Sequence, residues 1–202
     1  MSKVHPTAEV SPDAIVDATA AIWQYAHVRE GASIGAQTVV GRGAYVGPGV
    51  PVGKHCKIQN YALVYEPAIV EDGVFIGPAV VLTNDRNPRA VNPDGSLKST
   101  TDWVPVGVTL RAGASIGARA VCVAPLVVGR WALVAAGSTV IRDVPDYALV
   151  VGAPARRIGW VGPAGEALVQ SEAEIDLYVC PRTGARFQQV SPDELVALDA
   201  DD

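Results

Sequence analysis

The residues best suited to chemistry are concentrated in two stretches of this 202-residue chain. Residues 83–103 are polar and rich in Pro, Asn and Asp, which predicts a loop. Loops of this length are uncommon in compact domains and are more often functional than not. The second stretch contains Arg142, Arg156 and Arg157, whose guanidinium groups are well matched to phosphate oxygens. A functional site is therefore expected close to these two stretches.

A six-residue repeat must position both stretches. An aliphatic residue, here called an anchor, recurs at every sixth position from Val10 to Leu82 and again from Val104 to Val140, with Cys122 in one anchor position. Successive anchors would be about 240° apart on a helix, so they would spread over three of its faces. Six is an even number, so the same spacing keeps anchors on one face of short pleated strands. The repeat therefore predicts short β-strands with inward aliphatic side chains.

Small residues accompany the anchors. The position two residues before an anchor is mostly Ala, as at Ala20 and Ala26, and a large residue paired with a small one suits a narrow interior. Gly often follows the anchor, as Gly47 follows Val46, and Gly tolerates the backbone angles of a tight corner. A short strand and a corner, repeated every six residues, form one side of a solenoid coil.

This pattern resembles the hexapeptide-repeat proteins, which form a left-handed parallel β-helix of triangular cross-section. In that family three hexads make one coil, so the twenty anchors imply six to seven coils. Left-handed winding is an exception to the usual right-handed crossover. The resemblance implies an all-β domain over residues 1–160, with a loop excursion at 83–103.

Residues 161–202 differ in composition and are predicted to form a small C-terminal appendage. Residues 177–187 place two apolar runs around a Pro-Arg-Thr-Gly turn, which predicts a hairpin. The sequence Ser-Pro-Asp-Glu at 191–194 is a helix-capping pattern, so a short helix is predicted over 195–198. No catalytic role is expected for this tail.

Composition excludes several classes of partner. The net charge of −5 argues against nucleic acid, which binds basic surfaces. The sequence contains no apolar run long enough to span a bilayer and no recognisable signal peptide. Three cysteines without a Cys-x-x-Cys pair predict free thiols, two of them, Cys56 and Cys122, pointing inward. These features predict a soluble, cytoplasmic protein with no nucleic-acid or membrane partner.

The segment at 151–159, Val-Gly-Ala-Pro-Ala-Arg-Arg-Ile-Gly, looks like the Gly-x-Pro-Ala-[Lys/Arg]-x-Ile-Gly signature of hexapeptide acyltransferases that use coenzyme A. In those enzymes the signature follows the last coil and lines the groove for the adenine end of the cofactor. The resemblance implies acetyl-CoA as co-substrate, with a corner N–H group that stabilises the oxyanion. The implied cofactor-binding residues are Ala118, Ala136, Arg142, Ala153, Pro154, Arg156 and Arg157.

Four blocks at 57–60, 64–66, 71–78 and 83–90 resemble the branch that N-acetylates nucleotide-linked 3-amino sugars. The Thr-Asn-x-x-x-Pro-Arg element that begins at residue 83 is the most discriminating part. The resemblance implies a homotrimer with active sites between subunits, in which Asn84 faces the reacting amine and the acetyl group. It also implies substrate contacts from Gln59, Asn60, Tyr65, Glu66 and Arg89.

The implied reaction is direct attack of a neutral sugar amine on the thioester. The departing thiol has an ordinary pKa of about 8.5, so its thiolate can accept the final proton. Related enzymes that acylate hydroxyls use a His, and His5, His27 and His55 all precede the loop. The scarcity of His favours an amine acceptor, and the wide separation of these three residues opposes a zinc site of the carbonic anhydrase type.

Three questions stay open on sequence grounds. A hexapeptide O-acyltransferase that acts on a hydroxyl is one alternative function. A β-helix that binds a nucleotide sugar without catalysis is another, and only cofactor binding would distinguish it. Within the favoured function, the nucleotide is either UDP or dTDP, and neither the sugar nor the acyl chain length follows from the repeats.

Overall fold

The chain folds as a stack of short strands. The computed structural model describes residues 3–198, which form 26 strands, numbered here in chain order, and no helix. Across that range no helix is long and apolar enough to cross a membrane. Three sheets form the walls of the stack, and all their pairings are parallel except that of the last two strands of the first sheet; a fourth, antiparallel sheet follows at the C-terminal end. The prediction of an all-β protein is confirmed.

As far as Val140, each wall contains every third strand of the stack, and the next two strands then extend the first sheet. Sheet 1 contains β1 (Lys3–Val4), β4 (Ala21–Ile22), β7 (Val39–Val40), β10 (Lys57–Ile58), β13 (Phe75–Ile76), β16 (Ser115–Ile116), β19 (Leu133–Val134), β21 (Ala148–Gly152) and β22 (Ala155–Trp160). Sheet 2 contains β2 (Glu9–Val10), β5 (His27–Val28), β8 (Tyr45–Val46), β11 (Leu63–Val64), β14 (Val81–Leu82), β17 (Val121–Cys122) and β20 (Thr139–Val140). Sheet 3 contains β3 (Ile15–Val16), β6 (Ser33–Ile34), β9 (Pro51–Val52), β12 (Ile69–Val70), β15 (Val108–Leu110) and β18 (Leu126–Val128).

The register of these sheets follows the coil period. Ile22 pairs with Val40, Val40 with Ile58, and Ile58 with Ile76, so each step along sheet 1 is one coil of three hexads. The stack is the predicted left-handed parallel β-helix and has about eight turns. It is slightly taller than the anchors implied, because β1 pairs below β4 and β21 pairs above β19.

The anchors form the core. From Ile22 to Leu82 every anchor side chain is at most 3% exposed, and those after residue 108 are similarly buried. Val104 is the exception, since it is 82% exposed, and Val108 and Leu110 of β15 take the inward positions instead. The chain rejoins the wall late because Pro105 has no N–H group with which to enter a strand ladder. The loop excursion therefore covers 83–107 rather than 83–103.

The tail forms β23 (Val169–Gln170), β24 (Leu177–Val179), β25 (Arg186–Ser191) and β26 (Glu194–Ala197) in one antiparallel sheet. The predicted hairpin is confirmed as the β24–β25 pair. The predicted helix at 195–198 is wrong, because β26 pairs with β25. Leu195 is the one buried residue of β26, and its burial against the sheet accompanies this pairing. Residues 199–202 of the predicted appendage lie outside the described range.

Candidate active site

The three corners of the coil carry different chemistry. The first corner joins sheet 1 to sheet 2, the second joins sheet 2 to sheet 3, and the third joins sheet 3 to sheet 1. The second corner is a column of residue pairs, one pair per coil. From the N-terminal to the C-terminal end these pairs are Ser11-Pro12, Arg29-Glu30, Gly47-Pro48, Tyr65-Glu66, Thr83-Asn84, Val123-Ala124 and Ile141-Arg142.

Acidic side chains at the third corner serve the fold. The Asp72 carboxylate accepts a hydrogen bond from the backbone N–H of Lys54 at 2.9 Å, one coil below. The Asp146 carboxylate accepts from the N–H of Arg130 at 2.7 Å in the same way. Corner N–H groups lie outside the strand ladders, so a carboxylate from the next coil satisfies them. These acids have structural partners and need no ligand.

Glu66, at the second corner, has no such partner. Its Oε2 atom is buried and finds no hydrogen-bond donor among residues 3–198. It lies against Gly47 one coil below, where an added Cβ would come within 2.3 Å of Oε2. Gly47 therefore makes the space that this carboxylate occupies. A buried carboxylate oxygen without a donor is costly, which makes Glu66 Oε2 a candidate acceptor for a hydrogen bond from a ligand.

Asn84 lies one coil above Glu66 on the same corner and is half-buried. Its backbone carbonyl accepts a hydrogen bond from the N–H of Val106 at 2.9 Å, which closes the neck of the loop. The adjacent Thr83 hydroxyl accepts from the N–H of Ala124 at 3.0 Å. These bonds fix the backbone of Asn84, and its side-chain amide makes no hydrogen bond within the described range.

An aromatic and basic strip extends from Glu66 toward the N-terminal coils. The Tyr65 and Tyr45 rings are 5.2 Å apart, and Tyr45 meets His27 edge-on at 5.6 Å. Arg29 Nη1 donates to the Tyr45 hydroxyl at 3.3 Å. Burial raises the pKa of the Tyr45 hydroxyl, and the negative charge of Glu66 adds to the increase. This hydroxyl therefore stays protonated at neutral pH and remains a hydrogen-bond donor.

At the C-terminal end the second corner opens into a cleft of about 740 Å³, here called the arginine cleft. Three predicted cofactor-binding residues, Arg142, Arg156 and Arg157, line it together. Arg111 lines the same cleft, although no sequence motif distinguishes it. Coils are about 4.8 Å apart, so Arg142, two coils above Asn84, lies roughly 10 Å from it along the corner.

Arg157 is held from two sides. Its guanidinium carbon lies 4.2 Å from the centre of the Trp160 ring, and its Nη1 is 3.5 Å from Asp193 Oδ1. Asp193 lies in the turn between β25 and β26, so the tail, for which no catalytic role is expected, contributes one side chain to the cleft. Because the tail lacks the repeat, no sequence signal could have placed Asp193 here.

Four predicted residues lie at the first corner instead. Asn60, Ala118 and Ala136 form one column there, and Gln59 precedes Asn60. The Asn60 side chain accepts from the backbone N–H of Arg42 at 3.0 Å, a ladder contact like those of the third corner. The structure therefore separates these four residues from Asn84 within one chain.

The remaining predicted residues are at the surface. Ala153 and Pro154 form the exposed tip of the hairpin between β21 and β22, next to the arginine cleft. Arg89 is exposed on the loop, and its Nη1 donates to the Pro88 carbonyl at 2.9 Å. Within residues 3–198 no three His, Cys, Asp or Glu side chains meet in a way that could hold a metal ion.

Comparison with known proteins places this geometry in a family. The family model for the hexapeptide repeat of succinyl-transferase matches residues 31–61. The chain is a hexapeptide-repeat protein. A solved structure of a hexapeptide transferase family protein from Anaplasma phagocytophilum aligns with 80% of this chain and 84% of its own, at a TM-score of 0.51 and 19% identity. At that identity, the likeness concerns the fold alone.

Two curated relatives extend the comparison. The chain is 56% identical over 52 residues, 26% of its length, to a dTDP-3-amino-3,6-dideoxy-alpha-D-galactopyranose 3-N-acetyltransferase of Aneurinibacillus thermoaerophilus. It is 34% identical over 142 residues, 70% of its length, to the bifunctional protein GlmU of Brevibacillus brevis. The match covers 27% of each relative, so this hexapeptide-repeat chain spans about a quarter of the length of either.

Proposed function

We propose that this protein transfers the acetyl group of acetyl-CoA to the 3-amino group of a UDP- or dTDP-linked amino sugar. The observation that carries the proposal is the continuity of the second corner. It joins the arginine cleft, suited to a polyphosphate, to Asn84 and to the unpartnered carboxylate of Glu66. The short but close match to a dTDP-amino-sugar N-acetyltransferase supports the acceptor class.

Coenzyme A would occupy the C-terminal half of this corner. Arg142, Arg156 and Arg157 would contact its phosphates, and the tip at Ala153 and Pro154 would flank it. The thiol end would then extend down the corner toward Asn84, roughly 10 Å below. The bound cofactor supplies the activated acetyl group, and the protein supplies orientation.

The amino sugar would occupy the half below Asn84. Glu66 accepts hydrogen bonds from hydroxyl or amine donors of the sugar, and Tyr65 offers an aromatic wall beside it. The Asn84 amide oxygen accepts one N–H bond of the neutral amine, so that the nitrogen lone pair faces the thioester. The amine attacks the carbonyl carbon, the tetrahedral oxyanion collapses, and the thiolate leaves and takes up the amine proton.

A homotrimer would complete the site. Gln59, Asn60, Ala118 and Ala136 lie on a different corner from Asn84, so they reach the same ligands only from a neighbouring subunit. A backbone N–H near Ala118 or Ala136 would then stabilise the oxyanion. We further propose a cytoplasmic location, where acetyl-CoA and nucleotide sugars are both made.

The decisive experiment measures thiol release from acetyl-CoA with UDP- and dTDP-linked 3-amino sugars as acceptors. Rapid release with one of them is expected and identifies the nucleotide. Asn84→Ala is expected to lower kcat by about tenfold or more while coenzyme A binding persists, because only orientation is lost. Glu30→Gln removes a carboxylate from the same corner, two coils below Glu66. It serves as a control for a substitution at this corner that lies away from Asn84.

The outcomes separate the alternatives. Coenzyme A binding without release on any 3-amino sugar would remove the acceptor assignment and retain an acyltransferase. Release with a hydroxyl acceptor instead would favour O-acylation. Absence of coenzyme A binding would leave a β-helix that binds without catalysis.

A further inference from the structure

The loop at 83–107 contains a pocket of its own, here called the loop pocket. Its volume is about 380 Å³, within the range of about 300–1,000 Å³ typical of small-molecule sites. Arg86, Lys98, Trp103 and Asp85 line it, and Asp85 directly follows Asn84 in the chain. The sequence predictions singled out none of these four side chains, and the reaction described above uses none of them.

The loop is built before any ligand arrives. Val91 and Leu97 form an antiparallel bridge, and the N–H of Lys98 donates to the Ala90 carbonyl at 3.0 Å. The Asp102 carboxylate accepts from the Ser99 N–H and hydroxyl, both at 2.7 Å. Such bonds hold the pocket walls in place, so little conformational entropy is lost when a ligand binds.

Asp102 of the loop makes short hydrogen bonds, whereas the two cations that line the pocket, Arg86 and Lys98, have no partner or only long contacts within the described range. Hydrogen bonds from Ser99 lower the pKa of Asp102, so the Asp102 carboxylate is charged and is already paired within the loop. Arg86 makes no hydrogen bond or ion pair with any of residues 3–198. The side chain of Lys98 is only 16% exposed, yet its Nζ has only long contacts, at 3.9 Å to Asp85 Oδ2 and 3.5 Å to the Asn87 carbonyl.

A largely buried ammonium has three donors to satisfy, and these contacts satisfy it poorly. An anionic oxygen in the pocket would meet Lys98 at hydrogen-bond distance and displace Asp85 from it. Arg86 offers a second cation for the same anion, and Trp103 offers a flat face on which a base can stack. Two cations and one aromatic ring match a nucleoside diphosphate.

We propose that the loop pocket binds the nucleoside diphosphate of the acceptor, with Lys98 and Arg86 on its phosphates and Trp103 against its base. This assignment rests on the proposed function for the identity of the acceptor. The position of the pocket fits, because Asp85, one of its lining residues, directly follows Asn84. A nucleotide held there places the attached sugar at the second corner.

The test measures binding by calorimetry, with dTDP, UDP and coenzyme A as separate probes and the full-length protein. Lys98→Met keeps the apolar stem and removes the charge, and it is expected to weaken dTDP or UDP about tenfold, the loss of one charge-assisted hydrogen bond. Asp85→Asn keeps the bond that Asp85 Oδ1 accepts from the Asn87 N–H, frees Lys98, and is expected to tighten binding several-fold. Lys54→Met is the control, because Lys54 has a similar pair with Asp72 at 3.7 Å but lies at the third corner.

Equal nucleotide affinity for Lys98→Met and the wild type would overturn the proposal, as would weaker binding by Asp85→Asn. Failure of the wild type to bind either nucleotide would overturn it too. If Lys98→Met weakened coenzyme A as much as dTDP, the pyrophosphate in the pocket would belong to the cofactor, and the acceptor assignment would fall. No acetyl group enters this test, so its result is independent of whether a 3-amino sugar is acetylated.

Discussion

Exchanging a carboxylate for an amide should change the free energy of unfolding in opposite directions at Glu66 and at Glu71. In Glu66→Gln the buried Oε2, which has no donor, is replaced by a neutral group of the same shape. An unsatisfied buried polar atom costs about 1–3 kcal/mol, and more when charged, so the exchange should stabilise the fold by about 1–2 kcal/mol. For a chain of this length that free energy corresponds to an increase in Tm of roughly 2–6 °C.

Glu71→Gln is the matched control. The Glu71 carboxylate accepts from Arg111 Nη1 at 3.0 Å and from the backbone N–H of Ala112 at 2.9 Å. An amide can accept only one of these bonds, and it turns its NH₂ group toward the other donor. We expect a loss of about 1 kcal/mol, a modest value because the Arg111 side chain is half-exposed.

Urea unfolding followed by circular dichroism measures both variants, at one protein concentration because association contributes to apparent stability. Acetyl transfer by Glu66→Gln should fall at the same time, since the variant loses the acceptor for sugar donors. Destabilisation of Glu66→Gln as large as that of Glu71→Gln would refute the reasoning, because it would mean that the Glu66 carboxylate already has a donor in the free protein.

Three further predictions concern the core and the arginine cleft. Thr38→Val should lower the free energy of unfolding by about 1–3 kcal/mol, measured in urea, because the buried hydroxyl donates to the Gly53 carbonyl at 2.7 Å and accepts from the Cys56 N–H at 3.0 Å. Burial raises the pKa of Cys122 to about 12, so iodoacetamide at pH 9 should modify it only after unfolding. Because that folded pKa exceeds the unfolded value of about 8.5, the thiol's stabilising contribution is complete below pH 8.5 and is lost as the pH rises toward 12. Asp193→Asn should increase coenzyme A affinity a few-fold in calorimetry, because it removes a negative charge from the arginine cleft; unchanged affinity would place the phosphates elsewhere.

The corner on which a site residue lies could have been predicted from the sequence, because each coil contains 18 residues. Residues 18 positions apart occupy the same place on successive coils, so Gly47 and Tyr65, the residue before Glu66, could have been assigned to one corner by counting. The same counting places Asn60 and Ala118 on another corner once the loop is subtracted. Residues without the repeat offered no such rule. Lys98, within the loop, and Asp193, in the tail, meet their sites through folds that no period describes.

A local sequence pattern also gave a wrong prediction where a helix start and a hairpin turn favour the same residues. Ser-Pro-Asp-Glu at 191–194 caps helices well, yet here it forms the turn of a hairpin. The neighbouring β25 offers unpaired backbone groups and a buried place for Leu195, and those tertiary contacts outweigh a capping preference of about 1 kcal/mol. Val104 matched the spacing of an anchor, but Pro105 delayed the return to the wall.

The sequence by itself determined the solenoid, because a strict aliphatic period of six is compatible with stacked short strands and not with a helix. It also located the loop and the arginine segment, since both break that period. Only the tertiary structure decided which groups lack partners. Whether a carboxylate such as Glu66 is satisfied depends on the donors that the coils above and below bring to it, and those belong to residues distant in the chain.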